Sequence, residues 1–304
     1  ELYLYMEIID LLSARPAFLL TVSVILGLLV GSFINVVVYR LPIMLQRDWR
    51  EQCCYYLEIE NTNPDSNESS AKFKVFNLQK PNSHCPLCNH KIRPWENVPV
   101  LSYLFLRGKC SSCKAKISIR YPSVEFVSGV LSGLVAFHFG ATWLTMALML
   151  LTWALIALTL IDFDHQLLPD NITLPLIWLG LLVNTIDLGF GVTLRDAVIG
   201  AVAGYLALWI VYWAFKLATG KDGMGYGDFK LLSALGAWMG WQSLLPIVIL
   251  SSLVGAVFGI GMIILQGRDK SAPMPFGPFL AGAGFIMLMW GPLLKAFNIG
   301  NFIN

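Results

Sequence analysis

Charge is scarce in this sequence. Only 13% of its 304 residues are Asp, Glu, Lys or Arg, about half of what a soluble domain carries. Water is therefore a poor solvent for most of the chain. The apolar stretches do not alternate with polar residues, which excludes a transmembrane β-barrel. No glycine loop stands between a strand and a helix in the manner of a dinucleotide site, no solenoid-type repeat is seen, and no nucleic-acid partner is expected. A small-residue cleavage pattern is missing after the first apolar run, Ala17 to Val38. That run is also too long for the apolar part of a cleaved secretory leader, so it is expected to stay as a span.

Hydrophobic residues, in contrast, make up 56% of the chain. They fall into eight runs, at roughly 17–39, 122–140, 142–161, 171–187, 196–218, 229–241, 243–265 and 276–297. Most approach the roughly 20 residues that carry a helix across a bilayer. Only helices or closed barrels satisfy their backbone hydrogen bonds in hydrocarbon. The expected fold class is therefore an all-α polytopic membrane protein. It should have about eight transmembrane helices and a small cytoplasmic zinc-ribbon-like domain. Three regions are expected: 1–39 with the first span, a loop at 40–121 whose part 81–121 holds the metal, and a membrane domain at 122–304. Residues 48–80 are polar and irregular, and are expected to be flexible.

The few charges are unevenly placed. Of 21 Lys and Arg, 13 lie between Arg40 and Arg120. Basic loops favour the cytoplasmic side, so this loop is expected inside. Alternating from there puts 18 of the 21 basic residues on the cytoplasmic face, together with the loops around Asp162 and Asp228.

Six cysteines are present, and four form two C-x-x-C pairs, Cys85 with Cys88 and Cys110 with Cys113, separated by 21 residues. That spacing reads as a four-thiolate zinc site. The alternative is a pair of disulfides, which a reducing compartment disfavours. Four protein ligands leave no open position, so the zinc is expected to be structural. His84 and His90 flank the first pair, while Cys53 and Cys54 are expected to be free thiols.

Two acidic clusters stand at the ends of apolar runs. Asp162 follows the third run, with Asp164, His165 and Asp170 just beyond. Asp228 opens the sixth run, after Gly223, Gly225 and Gly227. Acidic residues at membrane depth are costly and are functional candidates by default. Two neighbouring carboxylates cannot both ionise; one can take a proton from water while the other, protonated, polarises a carbonyl. Glycine permits close backbone approach and positive φ, which suits an extended substrate beside Asp228. From the residues alone, a proton or ion pathway stays open as an alternative, and Asp162 cannot be separated from Asp164. Asp170 with Asn171 reads as an N-cap for the fourth helix.

Longer motifs narrow the choice. GSFINVVVYRLP follows the first span, and NHKIRPWENVPVLSYL joins the cysteine pairs. RYPSVEF, LIDFDHQLLPDN, GMGYGDFKLL and PMPFGPFL come later. With these, the chain resembles the type IV prepilin peptidases, which are also N-methyltransferases, from Ala17 to Pro292. Gly225-Tyr226-Gly227-Asp228 is similar to the G-x-G-D signature of presenilin-like intramembrane aspartyl proteases.

The resemblance implies an inner-membrane enzyme whose catalytic pair is Asp162 and Asp228, with Gly225 and Gly227 in the active-site loop. Asp162 is preferred because the family's aspartate stands seven residues before the proline, here Pro169. The family removes a short basic leader from type IV pilins and from type II secretion pseudopilins. It then methylates the new N-terminal amine with S-adenosylmethionine as donor. Gly31, Ser32, Asn35, Arg40 and Glu125 sit in motifs near the loop that carries methyl transfer, so Gly31, Asn35, Arg40 and Glu125 are candidates for that step. Helix packing and snorkelling are the competing explanation for them.

Overall fold

A computed structural model of the chain describes residues 15–58, 76–188, 190–266 and 274–296. The described residues are mostly helical and form no strands beyond two isolated bridges. The helices are α1 (Pro16–Tyr56), α2 (Leu101–Phe105), α3 (Arg120–Phe139), α4 (Trp143–His165), α5 (Asp170–Thr185), α6 (Leu194–Thr219), α7 (Tyr226–Met239), α8 (Leu244–Gln266) and α9 (Gly277–Ala296). They divide between two compact units, one of residues 21–133 and the other of the described residues of 1–20 and 134–304.

Over their described residues, all eight apolar runs form helices. By length and composition, five helices can cross a membrane: α1, α3, α4, α6 and α8 with the short turn before it. The chain is thus a multi-pass helical membrane protein, with five spans of this kind among the described residues. Two of the other expected spans form short helices. Helix α5 has 16 residues and α7 has 14, which give about 24 and 21 Å against a hydrocarbon core of about 30 Å.

Helix α1 runs on to Tyr56, which corrects the reading of residues 48–80 as irregular from their start. From Ile43 to Tyr56 there is no Gly or Pro, and Gln, Arg and Glu are good helix formers. Residues 59–75, the rest of the expected flexible stretch, lie outside the described residues.

In the larger unit the core is built round α7. Phe229, Leu231, Leu232, Ala234, Leu235, Ala237 and Trp238 are fully buried; a helix apolar on every side must be enclosed by others. Helices α5, α6 and α9 pack against it. Helix α6 comes close because Gly200 lies directly on Gly236, backbone against backbone. A side chain at either glycine would meet immovable main chain, so Gly236→Ala should destabilise the protein by about 1–3 kcal/mol. Thermal unfolding in detergent checks this.

Helix α5 is joined to the far end of α7 by polar side chains. Asn184 Nδ2 donates to the carbonyls of Ala237 (2.8 Å) and Trp238 (3.2 Å). Trp238 Nε1 donates to the Leu176 carbonyl at 2.9 Å. The Asn184 bonds satisfy carbonyls at the C-terminal end of a buried helix, where no water can.

Candidate active site and metal centre

Three helix ends meet around Asp162 and Asp228. Helix α4 stops just past Asp162: Gln166 takes a left-handed conformation, and its N–H bonds back to the Asp162 carbonyl at 2.8 Å. The chain then turns through the buried Leu168 into α5. Gly225 caps α7, and Asp228 stands in its first turn. Gly277, the first residue of α9, donates its N–H to Asp162 Oδ2 at 2.9 Å. Both carboxylates thus lie at helix N-termini, where exposed N–H groups attract negative charge.

Leu168 ties these ends together. A Cβ on Gly227 would stand 2.6 Å from the Leu168 Cβ, and one on Gly277 would stand 3.1 Å from Leu168 Cδ2 and 2.7 Å from Asp162 Oδ2. The same leucine therefore touches the residue before Asp228 and the residue that holds Asp162. Asp228 and Asp162 are thus gathered round one leucine. The two are only 7% and 6% exposed, so they form a buried carboxylate pair. Asp228 Oδ1 is buried without a hydrogen-bond partner, an expensive state for a polar group.

Gly277 and Leu168 were not among the site residues read from the sequence. Their signal was present, since both lie in quoted motifs, PMPFGPFL and LIDFDHQLLPDN. Gly277→Ala should cut any activity of the pair by about tenfold or more, since its Cβ would press on Asp162 Oδ2 and sub-ångström misplacement is costly. A cleavage assay with matched amounts of folded protein measures this.

Other expectations near the pair are corrected. Gly225 has φ −83°, and Gly223 and Gly227 are not among the glycines with positive φ. Close packing is what calls for two of them, Gly227 on Leu168 and Gly223 on Phe215. Asp170 is not an N-cap: Pro169 holds that position, and the Asp170 carboxylate accepts from Lys230. Asp164 and His165 are exposed in the last turn of α4.

In the smaller unit the four cysteines converge. Their sulfurs all lie within 4.8 Å of one another, and none is in a disulfide. Two like-shaped knuckles bring them there. The Cys85 N–H bonds to the His90 carbonyl (2.9 Å) and the Cys110 N–H to the Ala115 carbonyl (2.8 Å). Asn89 and Lys114, each just after the second cysteine of its pair, take left-handed conformations. The N–H groups of Cys88 and Leu87 pull the Cys85 thiol down to about 6, and those of Cys113 and Ser112 lower Cys110. A donor set of four converging thiolates with amide support can bind a metal ion. Glu96, also missed in the sequence, braces the site. It accepts from the Arg93 N–H at 2.9 Å and meets His90 Nε2 at 3.2 Å.

The methyl-transfer candidates lie in this unit too. Gly31 packs on the Glu125 and Ser128 backbone and side chain of α3. Asn35 Nδ2 donates to the Tyr121 carbonyl at 3.2 Å. Arg40 is buried and donates to the carbonyls of Asn77, Leu78 and Pro81. Glu125 accepts from the Val100 N–H at 2.7 Å and from Ser32. These contacts place the four candidates in the packing between α1, α3 and the loop of this unit.

Fold and site together define a polytopic membrane protein with a buried carboxylate pair and a four-cysteine cluster that could hold a metal. Residues 25–139 match the Bacterial Peptidase A24 N-terminal domain, and residues 149–260 the Type IV leader peptidase family. The chain is 54% identical to the prepilin leader peptidase/N-methyltransferase of Stutzerimonas stutzeri over 95% of its length and 96% of the relative's. It is 54% identical to that of Pseudomonas aeruginosa (94% and 95%) and 50% identical to that of Neisseria gonorrhoeae (91% and 92%). The chain belongs to the type IV leader peptidase family, as its motifs suggested. No solved structure matches it.

Proposed function

We propose that this chain cleaves the leaders of prepilins and pseudopilins with Asp162 and Asp228, then N-methylates the new N-terminus. The observation that carries the reading is the buried carboxylate pair with an unpartnered Asp228 oxygen. In such a pair one carboxylate is ionised and takes a proton from water, whose oxygen attacks the scissile carbonyl. The other is protonated and hydrogen-bonds the carbonyl oxygen as negative charge builds there. Collapse of the tetrahedral intermediate breaks the C–N bond, and the leaving amine picks up a proton from the pair. The Gly277 N–H holds Asp162 during these steps, Gly225 leaves the approach to Asp228 unobstructed by a side chain, and Gly227 lets Leu168 pack beside it.

Methyl transfer takes the freed amine as acceptor and S-adenosylmethionine as the donor substrate. The family resemblance assigns it to the unit of residues 21–133, where Gly31, Asn35, Arg40 and Glu125 shape the backbone. The thiolate set suits zinc as a structural ion, held by Cys85, Cys88, Cys110 and Cys113. The concentration of basic residues supports an inner-membrane enzyme whose loop and carboxylates face the cytoplasm. The test is to incubate the purified full-length chain with a prepilin and S-adenosylmethionine and weigh the product. A mass lower by the leader and higher by one methyl group is expected; an uncut, unmethylated prepilin contradicts the reading.

A further inference from the structure

We infer that the ion pair between Lys230 and Asp170 is a strut that sets the spacing of the two carboxylates. The inference rests on the peptidase reading of Asp162 and Asp228. Lys230 Nζ lies 2.6 Å from Asp170 Oδ1 and 2.8 Å from Oδ2. Lys230 stands two residues after Asp228 on α7, and Asp170 is the first residue of α5, eight residues after Asp162. The strut thus spans from one carboxylate's helix to the turn that leaves the other.

Its position along the helices adds to this. The bonds of Asn184 and Trp238 fasten α5 to the C-terminal end of α7. Lys230 fastens the same two helices at the opposite end, beside the carboxylates. Leu168 wedges between Gly227 and Gly277, but an apolar contact can slide. The Lys230 ammonium, within reach of both Asp170 oxygens, adds a charge-assisted contact that favours one spacing of the two helices.

Exposure separates a positioning role from a stabilising one. The two side chains are 24% and 52% exposed, and pairs of this kind add little to stability. Lys230 is bound to Asp170 and is a positioning residue: it acts through the placement of Asp228. Removing either partner should leave the protein folded and its carboxylates slightly misplaced, and misplacement lowers kcat.

The experiment is a double-mutant cycle on the full-length chain in detergent or liposomes, with a prepilin as substrate. Asp170→Asn and Lys230→Met should each lower kcat by about ten- to a hundredfold, with KM within about twofold and the melting midpoint within about 3 °C. The double variant should be no slower than the slower single variant, because the pair is lost once. Lys230→Arg, which can still reach Asp170, should keep most of the activity. Multiplying effects, a loss confined to KM, or unchanged kcat in Asp170→Asn would overturn the strut. Asp162→Asn and Asp228→Asn, run alongside, separate the two failures. If they are inactive while the cycle is flat, only the strut is wrong; if they are active, the peptidase reading itself has failed.

Discussion

Asp162→Asn and Asp228→Asn should each slow prepilin cleavage by at least about a thousandfold, with the chain still inserted and folded. Losses of this size are typical when one member of a group that acts as a unit is removed. The change keeps the side chain's volume and removes its ability to shuttle a proton. In Asp162→Asn the amide oxygen can still accept from the Gly277 N–H, so the meeting of α4 and α9 survives. In Asp228→Asn the amide keeps the acid's volume, and Asp162 carries the single charge that the pair can hold. The melting midpoint should therefore change little in Asp228→Asn. Full cleavage by either purified variant would show that the pair is not the catalyst.

Changing Cys85 and Cys110 to serine together should take the zinc content from about one ion per chain to none. One sulfur is then missing from each knuckle, and the two remaining thiolates cannot close a tetrahedral set. Structural zinc contributes about 10–16 kcal/mol to small domains, far more than the main-chain bonds of the two knuckles can supply. Residues 81–121 should become sensitive to protease, and metal analysis of freshly purified, reduced protein measures the loss of the ion. Zinc near zero in the unmodified protein would reject the metal centre.

The parts of this molecule that local sequence makes legible are those whose neighbours lie close along the chain. The apolar run ending at Asp162, the knuckle spacing and the helix starting just before Asp228 are of that kind. The Gly277 bond to Asp162 joins residues 115 apart, and the Asp170 pair with Lys230 joins residues 60 apart. Nothing in the flanks of Asp170 points to Lys230, so its residue type and place suggested a cap. The setting of helix α7 was hidden for a related reason. Its 14 residues are enclosed by other helices, and periodicity cannot tell burial in protein from burial in lipid. Gly227 likewise reads as room for an extended substrate until Leu168 is seen against it.

The most direct measurement is of proximity at the two carboxylates. Cysteines placed at 162 and 228 in the full-length chain can be treated with a short thiol-bridging reagent, and the joined peptides identified by mass. Residues 162 and 228 should be bridged within one chain, far faster than a 164 and 228 pair, since Asp164 is exposed while Asp162 is buried beside Asp228. No bridge between 162 and 228, or equal bridging of 164 and 228, would mean that the two acids do not meet, and no shared-proton hydrolysis could then follow.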